Sequence, residues 1–163
     1  IPIFDKINDD RLTKVKKIKT KADILILEGW CCASSAVQNS FLKKNINQIE
    51  KIFDRDLRWR NYYNHQLQNQ YARLFKKFEK VIYLKVPSFS YIQNWRLKQE
   101  KMMKTRNNYI GAMDRKQILE FIQHYEKITK WMMKVLPSKA NLTINVDKNQ
   151  KIKKILFKKI TTD

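Results

Sequence analysis

The first residues that could do chemistry are alternating acids and bases near the start of the chain. Asp5 and Lys6 follow a short apolar run, and Asp10 and Arg11 come a few positions later. Ligands of open α/β sheets collect beyond the carboxyl ends of strands, where such a loop would lie. One interpretation is a loop that grips a small hydroxy-acid, with Lys6 or Arg11 on its carboxylate and Asp5 near its hydroxyl. The alternative is a solvated loop, because runs of charge usually face water.

A second candidate is Glu28, which ends the aliphatic run over residues 24–27 and precedes Gly29. A carboxylate at the carboxyl end of a buried strand lies where nucleotide enzymes hold Mg²⁺, directly or through water. Gly29 would allow the chain to leave the strand sharply. An acidic residue placed there by chance gives the same pattern, since strand ends are commonly polar.

A third candidate is a helix that carries Arg96, Gln99 and Glu100 on one face, because these residues are three and four positions apart. An arginine presented from a mobile helix could close over transferring phosphates and offset developing charge. An ordinary amphipathic helix has the same stripe. His65 and His124 have no partners at a convincing metal-ligand spacing, which predicts two surface histidines.

The elements that would position these residues alternate between strands and helices. Apolar, β-branched runs bounded by turn or breaker residues predict buried strands over residues 22–28, 81–86 and 141–146. Residues 1–4 and 151–157 are two further candidate strands. Strands that are apolar along their whole length and alternate with helices predict an α/β fold, with a mainly parallel sheet flanked by helices.

Helical patterns cover residues 59–78, 90–104 and 118–136. The aromatic residues of the first helix fall on its apolar stripe and are expected to pack in the core. The third helix has Asp114 at its N-cap position and Gln117 three residues later, which predicts a capping box. The proline after residue 136 is expected to lie beyond the end of this helix.

The composition predicts one soluble domain of 163 residues, 43% of them hydrophobic. The longest aliphatic run is far shorter than the roughly 20 residues of a membrane span, and no secretion signal opens the chain. Cys31 and Cys32 are adjacent, so they give neither a disulfide framework nor a tetrahedral metal set. This usage predicts a reducing, cytoplasmic compartment.

The formal charge of +20 would favour non-specific binding of any polyanion. Lysine, isoleucine and asparagine are all abundant, so a biased coding composition explains the same charge. A basic nucleic-acid-binding module is therefore an alternative function. It would require a basic face with stacking aromatic residues.

The glycines exclude the common nucleotide-binding loops within these residues. Gly29 and Gly111 are the only two in the sequence. A phosphate-binding Walker A loop needs two glycines five positions apart, so that backbone N–H groups point at phosphate, and a dinucleotide fingerprint needs three close together. Neither pattern occurs.

In order and spacing, the motifs resemble the D-glycerate 3-kinase family and its kinase-like relatives, which are P-loop enzymes related to uridine kinase and phosphoribulokinase. The resemblance runs almost from end to end, and ILEGW and WR-x-x-QE are its specific parts. The segments are FDK-x-x-DDR, ILEGW, INQIEK, WRNYYNHQL, VPSFSYIQNWRLKQE, FIQHYEKIT and INVDKNQKI.

The resemblance implies transfer of the γ-phosphoryl group of Mg-ATP to a hydroxyl of D-glycerate or a similar hydroxy-acid. It implies Glu28 as the acid that helps to place Mg²⁺, and Arg96 as a phosphate-contacting residue of a lid helix. Asp5, Glu28 and Arg96 would be the catalytic set. Lys127 replaces the arginine of the family's Y-E-R element, so it keeps the charge without the bidentate fork. Six residues are implied in substrate binding: Asp5, Lys6, Asp10, Arg11, Tyr125 and Lys127.

In this family a Walker A strand, loop and helix precede the FDK segment. The chain starts at Ile1 rather than at methionine, so we expect upstream sequence and interpret residues 1–163 as a single domain, the carboxyl-terminal part of a P-loop kinase. Because phosphoryl transfer is mostly positioning and charge stabilisation, the chain alone is predicted to be inactive. A non-catalytic, truncated kinase remnant is the second alternative.

Overall fold

A computed structural model describes residues 1–5, 10–107 and 113–158 of the chain. Helices and strands are mixed along the sequence, which confirms the predicted α/β class. The elements in order are β1 Pro2–Asp5, β2 Asp10–Val15, α1 Asn39–Lys43, α2 Gln48–Phe53, α3 Arg58–Gln68, α4 Gln70–Phe75, β3 Ile82–Lys85, α5 Phe89–Asn107, α6 Arg115–Lys139, β4 Leu142–Val146 and β5 Ile152–Phe157.

The larger sheet has three strands in the order β3-β4-β5. β3 and β4 are parallel, with Ile82 opposite Leu142, whereas β4 and β5 are antiparallel, with Leu142 opposite Phe157. The three strands predicted over residues 81–86, 141–146 and 151–157 are therefore present. The sheet is mixed because a tight turn, rather than a helix, connects β4 to β5.

The long helix α6 covers one face of this sheet. Asp114 accepts from the backbone N–H of Gln117 while the Gln117 side chain accepts from the Asp114 N–H, so the predicted capping box is confirmed. Pro137 lies inside the last turn of α6 rather than beyond its end, so that prediction is wrong. No helix within the described ranges is long and apolar enough to cross a bilayer.

Two small clusters form the core around α6. Tyr83 of β3 packs with Leu136 and Ala140, which joins the sheet to the end of α6. Val37, Leu42 and Trp131 form the second cluster, which joins the α1 region to the middle of α6. The helix is therefore the structural centre of the described chain.

The buried strand predicted over residues 22–28 does not form. This segment has no regular structure, and the side chains of Ile24, Leu25 and Ile26 are 80–86% exposed. A strand needs a neighbour to satisfy its backbone N–H and C=O groups, and no described strand pairs with this one. The prediction of a buried strand is therefore wrong for these residues in the structure.

The single helix predicted over residues 59–78 is broken at Asn69 into α3 and α4. The Asn69 side chain donates to the carbonyl of His65 at 2.9 Å, which offers the backbone an alternative to continued helix. Trp59 is 62% and Tyr71 46% exposed, so the expectation that the aromatic residues of this helix pack in the core is wrong for these two. Tyr63 does pack against the cluster of Val37, Leu42 and Trp131, and Leu67 is buried.

Tyr83 should make the free energy of unfolding depend on pH in the alkaline range. Burial raises the pKa of Tyr83 to about 12, whereas an unfolded tyrosine has a pKa of about 10. The folded state keeps the proton longer, so the free energy of unfolding should fall between roughly pH 10 and pH 12, by at most about 2–3 kcal/mol and by less where solvent screens the phenolate. Urea unfolding at several pH values measures this slope. Tyr83→Phe should remove the component, while Tyr62→Phe at an exposed position should keep it; equal slopes in both variants would contradict the assignment.

Candidate active site

One face of α6 holds the loop that follows Glu28. We define the α6 face by Phe121, Tyr125 and Thr129, which are four residues apart and so lie one above another. The Trp30 ring meets Tyr125 edge-on with 4.4 Å between centroids, and its indole N–H donates to Thr129 Oγ1 at 2.9 Å. Trp30 therefore anchors the end of the Glu28-Gly29-Trp30 segment to α6.

The same α6 face also holds Arg96 of α5. The Arg96 guanidinium carbon lies 6.0 Å from the centre of the Phe121 ring, which itself contacts Tyr125 at 4.8 Å between centroids. Arg96 Nη2 pairs with Glu100 Oε1 at 2.5 Å, and Nη1 donates to Gln99 Oε1 at 2.8 Å. The predicted grouping of these three residues on one helix face is confirmed. Two of the predicted motifs therefore meet on α6 although 66 positions separate Trp30 from Arg96.

Arg96 is held but not fully enclosed. Its side chain is 29% exposed, and its Nε is buried without a hydrogen-bond partner among the described atoms. A guanidinium whose position is fixed by a carboxylate, an amide and a ring needs little reorganisation to meet an anion. The geometry therefore suits an arginine that contacts phosphate at an open surface.

The Glu28 carboxylate is exposed at the end of the irregular segment over residues 22–28. The pKa of the Cys32 thiol is raised by burial and, to a lesser degree, by the negative charge of Glu28, so the two groups are close. The sharp turn that follows uses left-handed backbone at Cys31 and Ala33, with φ of 58° and 61°. Gly29 was predicted to provide this turn, but no described glycine has a positive φ.

Glu28 provides the single carboxylate that a protein commonly contributes to a magnesium site. Magnesium keeps several waters and commonly uses one or two carboxylates together with substrate phosphates. Over the described ranges no group of three or more acidic, histidine or cysteine side chains could hold a metal. A single exposed carboxylate therefore suits a metal shared with a bound nucleotide, and not a metal held by the protein alone.

The acid–base motif near the start of the chain lies in the hairpin of β1 and β2. Asp5 is opposite Asp10 in the register, and Arg11 donates its backbone N–H to Asp10 Oδ1 at 2.6 Å. Lys6 lies outside the described residues. The hairpin is a two-stranded sheet of its own, so the motif ends a strand as predicted, but the strand is antiparallel and not part of the larger sheet.

A basic cleft of about 660 Å³ opens at the carboxyl ends of the parallel strands β3 and β4. Trp95 of α5 donates its indole N–H to the carbonyl of Lys148 at 2.9 Å, which fixes α5 beside this cleft. The position follows the general rule for open α/β sheets. Lysines and apolar groups share its walls, which include Lys85, Pro87, Tyr91, Asn145, Lys148 and Lys153.

Lys127 lies in the interior and not at a surface. Its side chain is 2% exposed, and Nζ lies 3.2 Å from Glu50 Oε2 and donates to the carbonyls of Phe41 and Lys44 at 2.8 and 2.6 Å. Burial lowers the pKa of Lys127, and the charge of Glu50 opposes that shift. The three donor positions of the ammonium are filled, so this placement favours a structural role over the substrate contact implied by the resemblance.

Lys127 belongs to a buried ionic cluster that the sequence did not indicate. Arg60 pairs with Asp54, with Nε 2.7 Å from Oδ2, and lies 3.8 Å from Glu50. Glu50 thus links the two cations. We call Glu50, Asp54, Arg60 and Lys127 the ionic cluster.

Several residues of the candidate site were missed at the level of sequence. Tyr125 was identified, whereas Phe121 and Thr129 were not, although their spacing of four residues from Tyr125 was a usable signal. The contact of Trp30 with Thr129 joins residues 99 positions apart, so no local pattern could reveal it.

Comparisons with known proteins find sequence similarity to a curated kinase and similarity of fold to a D-glycerate 3-kinase. No protein-family model matches the sequence. The chain is 25% identical over 156 residues to the uncharacterized kinase mug58 of Schizosaccharomyces pombe (strain 972 / ATCC 24843), and the match covers 87% of this chain and 52% of that protein. The chain therefore spans about half the length of the curated relative that it matches.

Two solved structures share the fold. D-glycerate 3-kinase from Cryptococcus neoformans var. grubii serotype A superposes with a TM-score of 0.74 and 22% identity, over 97% of this chain and 59% of that one. The YGR205w protein superposes with a TM-score of 0.69 and 20% identity, over 98% of this chain and 58% of that one. At the level of fold, the resemblance to the D-glycerate 3-kinase family is thus confirmed: this chain has the α/β fold of a large part of D-glycerate 3-kinase.

Proposed function

We propose that this chain is part of an ATP-dependent small-molecule kinase that transfers the γ-phosphoryl group of ATP to a hydroxyl of D-glycerate or a similar hydroxy-acid. The observation that carries the proposal is the α6 face, on which the Glu28 loop and Arg96 are held together. The fold shared with a D-glycerate 3-kinase and the sequence similarity to a curated kinase support the same conclusion.

Arg96 and Glu28 have complementary roles in this proposal. The Arg96 guanidinium offsets charge on the transferring phosphoryl group, because two of its nitrogens are already oriented by Glu100 and Gln99. The Glu28 carboxylate would hold Mg²⁺, directly or through water, and the bound metal would supply charge neutralisation for the phosphates. Trp30 keeps Glu28 in position by its contacts with α6.

The acceptor side of the proposed site is the hairpin motif together with Tyr125. Asp5 lies near the substrate hydroxyl, where a carboxylate can orient it and accept its proton. Lys6, Asp10 and Arg11 bind the rest of the hydroxy-acid, with the cations on its carboxylate. The lysines of the cleft at β3 and β4 favour anionic ligands in general, and a cytoplasmic location, where both cysteines stay reduced, belongs to the same proposal.

The proposed reaction needs a group that residues 1–163 do not provide. A sequence with only Gly29 and Gly111 has no loop whose backbone N–H groups can surround a triphosphate. Glu28 and Arg96 would then face phosphates that nothing holds in line with the acceptor, and positioning supplies most of the catalysis. We therefore propose that the chain alone is inactive and that a longer gene product is the active kinase.

The test is a direct assay of D-glycerate phosphorylation with Mg-ATP. The chain alone should give no product above a reaction without protein, while the product of its complete reading frame should phosphorylate glycerate in preference to hydroxy-acids of other lengths. If the chain alone phosphorylates glycerate and its Arg96→Ala variant does not, the predicted inactivity of the chain is wrong. A complete product that phosphorylates no hydroxy-acid would contradict the proposed function.

A further inference from the structure

Helix α3 carries two large aromatic side chains that are exposed to solvent. Trp59 is 62% and Tyr62 60% exposed, while the buried side of the same helix is formed by Arg60, Asn64 and Leu67. The centroids of the two exposed rings are 6.4 Å apart and their planes meet at 84°, so the rings do not cover each other by parallel stacking. Tryptophan and tyrosine are enriched at interaction surfaces, which makes this pair a candidate contact site.

Arginine side chains accompany the exposed rings. The Arg58 guanidinium carbon lies 5.9 Å from the centre of the Trp59 ring, and Arg55 is exposed three positions earlier. The Asp56 carboxylate accepts from the backbone N–H of Arg58 at 3.3 Å, so this acid contacts the start of the helix. We call Arg55, Arg58, Trp59 and Tyr62 the aromatic–basic face.

The surroundings of the aromatic–basic face are strongly positive. Between residues 51 and 78, all of which the structure describes, six cations are exposed and Asp56 is the one exposed acid. The six cations are Lys51, Arg55, Arg58, Arg73, Lys76 and Lys77. The other charged pair of this stretch, Asp54 and Arg60, is buried. Because interfaces pair surfaces of opposite potential, this region favours a polyanion as its partner.

Single-stranded nucleic acid matches both the rings and the charge. Each nucleotide carries a flat base and a phosphate, so a ring beside a guanidinium meets the repeating unit of such a strand. Aromatic side chains bind unpaired bases by stacking, whatever the base, and arginine adds cation–π and phosphate contacts. The bases of a duplex are already stacked on one another, and a heparin chain has charge without bases.

We propose that the aromatic–basic face of α3 binds single-stranded nucleic acid, with bases stacked on Trp59 and Tyr62 and phosphates on Arg55 and Arg58. The proposal is independent of the phosphoryl transfer, because none of these residues belongs to the candidate active site. It gives the exposed aromatic residues a function that packing in the core does not provide. Protein interfaces use the same residue types, so an acidic protein segment is the competing occupant.

The experiment measures binding of a labelled single-stranded oligonucleotide of mixed sequence to the product of the complete reading frame, by fluorescence anisotropy at physiological salt. Trp59→Ala should raise Kd by about fivefold to a hundredfold, the effect typical of losing one ring that stacks on a base. Trp59→Phe keeps a ring and should recover most of the affinity. The slope of log Kd against log salt should be the same in Trp59→Ala as in the wild type, because no phosphate contact is lost.

Arg58→Ala should give the complementary result. Loss of one phosphate contact should reduce the salt slope by about 0.7, the value for single strands. Lys134→Ala is the matched control, because Lys134 lies 5.7 Å from the centre of the Trp131 ring, but that ring is 5% exposed and cannot receive a base. The Kd of Lys134→Ala should stay within about threefold of wild type, since solvent screens an isolated exposed charge.

Four results would overturn the proposal. They are no binding by the complete product, an equal Kd in wild type and Trp59→Ala, equal affinity for duplex DNA or heparin, and displacement of the strand by poly-glutamate at an equal concentration of charge. Binding by the present chain but not by the complete product counts as the first result, because another part of the protein would then cover the face. Circular dichroism and glycerate phosphorylation should be unchanged in Trp59→Ala, so this proposal and the proposed kinase function can fail separately.

Discussion

Replacement of Arg60 with alanine should lower the free energy of unfolding by about 3–5 kcal/mol, the range observed when one partner is removed from a buried ion pair. The Arg60 side chain is 2% exposed, and its Nε lies 2.7 Å from Asp54 Oδ2. The guanidinium also donates to the carbonyls of Leu42 and Asp54, so its removal takes a donor from these buried acceptors and leaves the buried Asp54 carboxylate without its cation. Urea unfolding followed by circular dichroism measures the change.

Arg58→Ala is the appropriate control, because Arg58 is on the same helix but exposed, where it lies over the Trp59 ring. Its loss should change the stability by no more than about 1 kcal/mol. Arg60→Lys should fall between the two, since lysine keeps the charge but cannot reach the same set of acceptors. If the Arg60→Ala and Arg58→Ala variants are equally stable, the ionic cluster does not hold the fold together.

Replacement of Arg96 with alanine in the complete gene product should reduce kcat for hydroxy-acid phosphorylation by about a thousandfold or more, the effect typical of an arginine that stabilises the transferring phosphoryl group. The structural reason is the orientation of its guanidinium by Glu100 and Gln99 beside the α6 face. The KM for the hydroxy-acid should change little, because the lost interaction is made mainly in the transition state. Steady-state kinetics with glycerate and Mg-ATP separate the two constants.

Lys98→Ala tests the specificity of that loss, since Lys98 is an exposed cation on the same helix and lies off the face shared by Arg96, Gln99 and Glu100. The kcat of Lys98→Ala should stay within about a few-fold of wild type, because solvent screens the effect of an exposed charge. Arg96→Lys should lose less activity than Arg96→Ala, because a single ammonium keeps part of the charge stabilisation. A kcat that is equal in Arg96→Ala and Lys98→Ala would remove Arg96 from the proposed mechanism.

Local patterns predicted the parts of the fold whose partners are close in sequence or whose packing is complete. The capping box of Asp114 and Gln117 and the strands around Tyr83 and Thr143 depend on nearby residues and on α6, and both predictions hold. The segment over residues 22–28 has an equally clear strand pattern, but a strand is stable only beside another one. Among the described residues no strand pairs with this segment, so its backbone groups lack the ladder that a strand needs.

Less of the candidate site could be predicted from the sequence, because its contacts join residues that are far apart along the chain. The role of Lys127 depends on Glu50, which is 77 positions away, and on two backbone carbonyls, so a charged residue beside Tyr125 gave no sign of its burial. A cation at a helix surface and a cation in an ionic cluster have the same local sequence. Motif order suggested Glu28 and Arg96 as partners, but only the packing of Trp30 and Arg96 against the α6 face brings their segments together.

The ionic cluster should determine which helices unfold together. Glu50 on α2, Arg60 on α3 and Lys127 on α6 neutralise one another in the interior, so no one of these helices can detach without leaving a buried charge uncompensated. They should therefore unfold as one cooperative unit. The β1–β2 hairpin strands and residues 22–28 lie outside the ionic cluster, and we expect them to open at a lower free energy than these helices. The strands that carry Asp5 and Arg11, which belong to the proposed substrate site, are therefore expected to unfold separately from the helices.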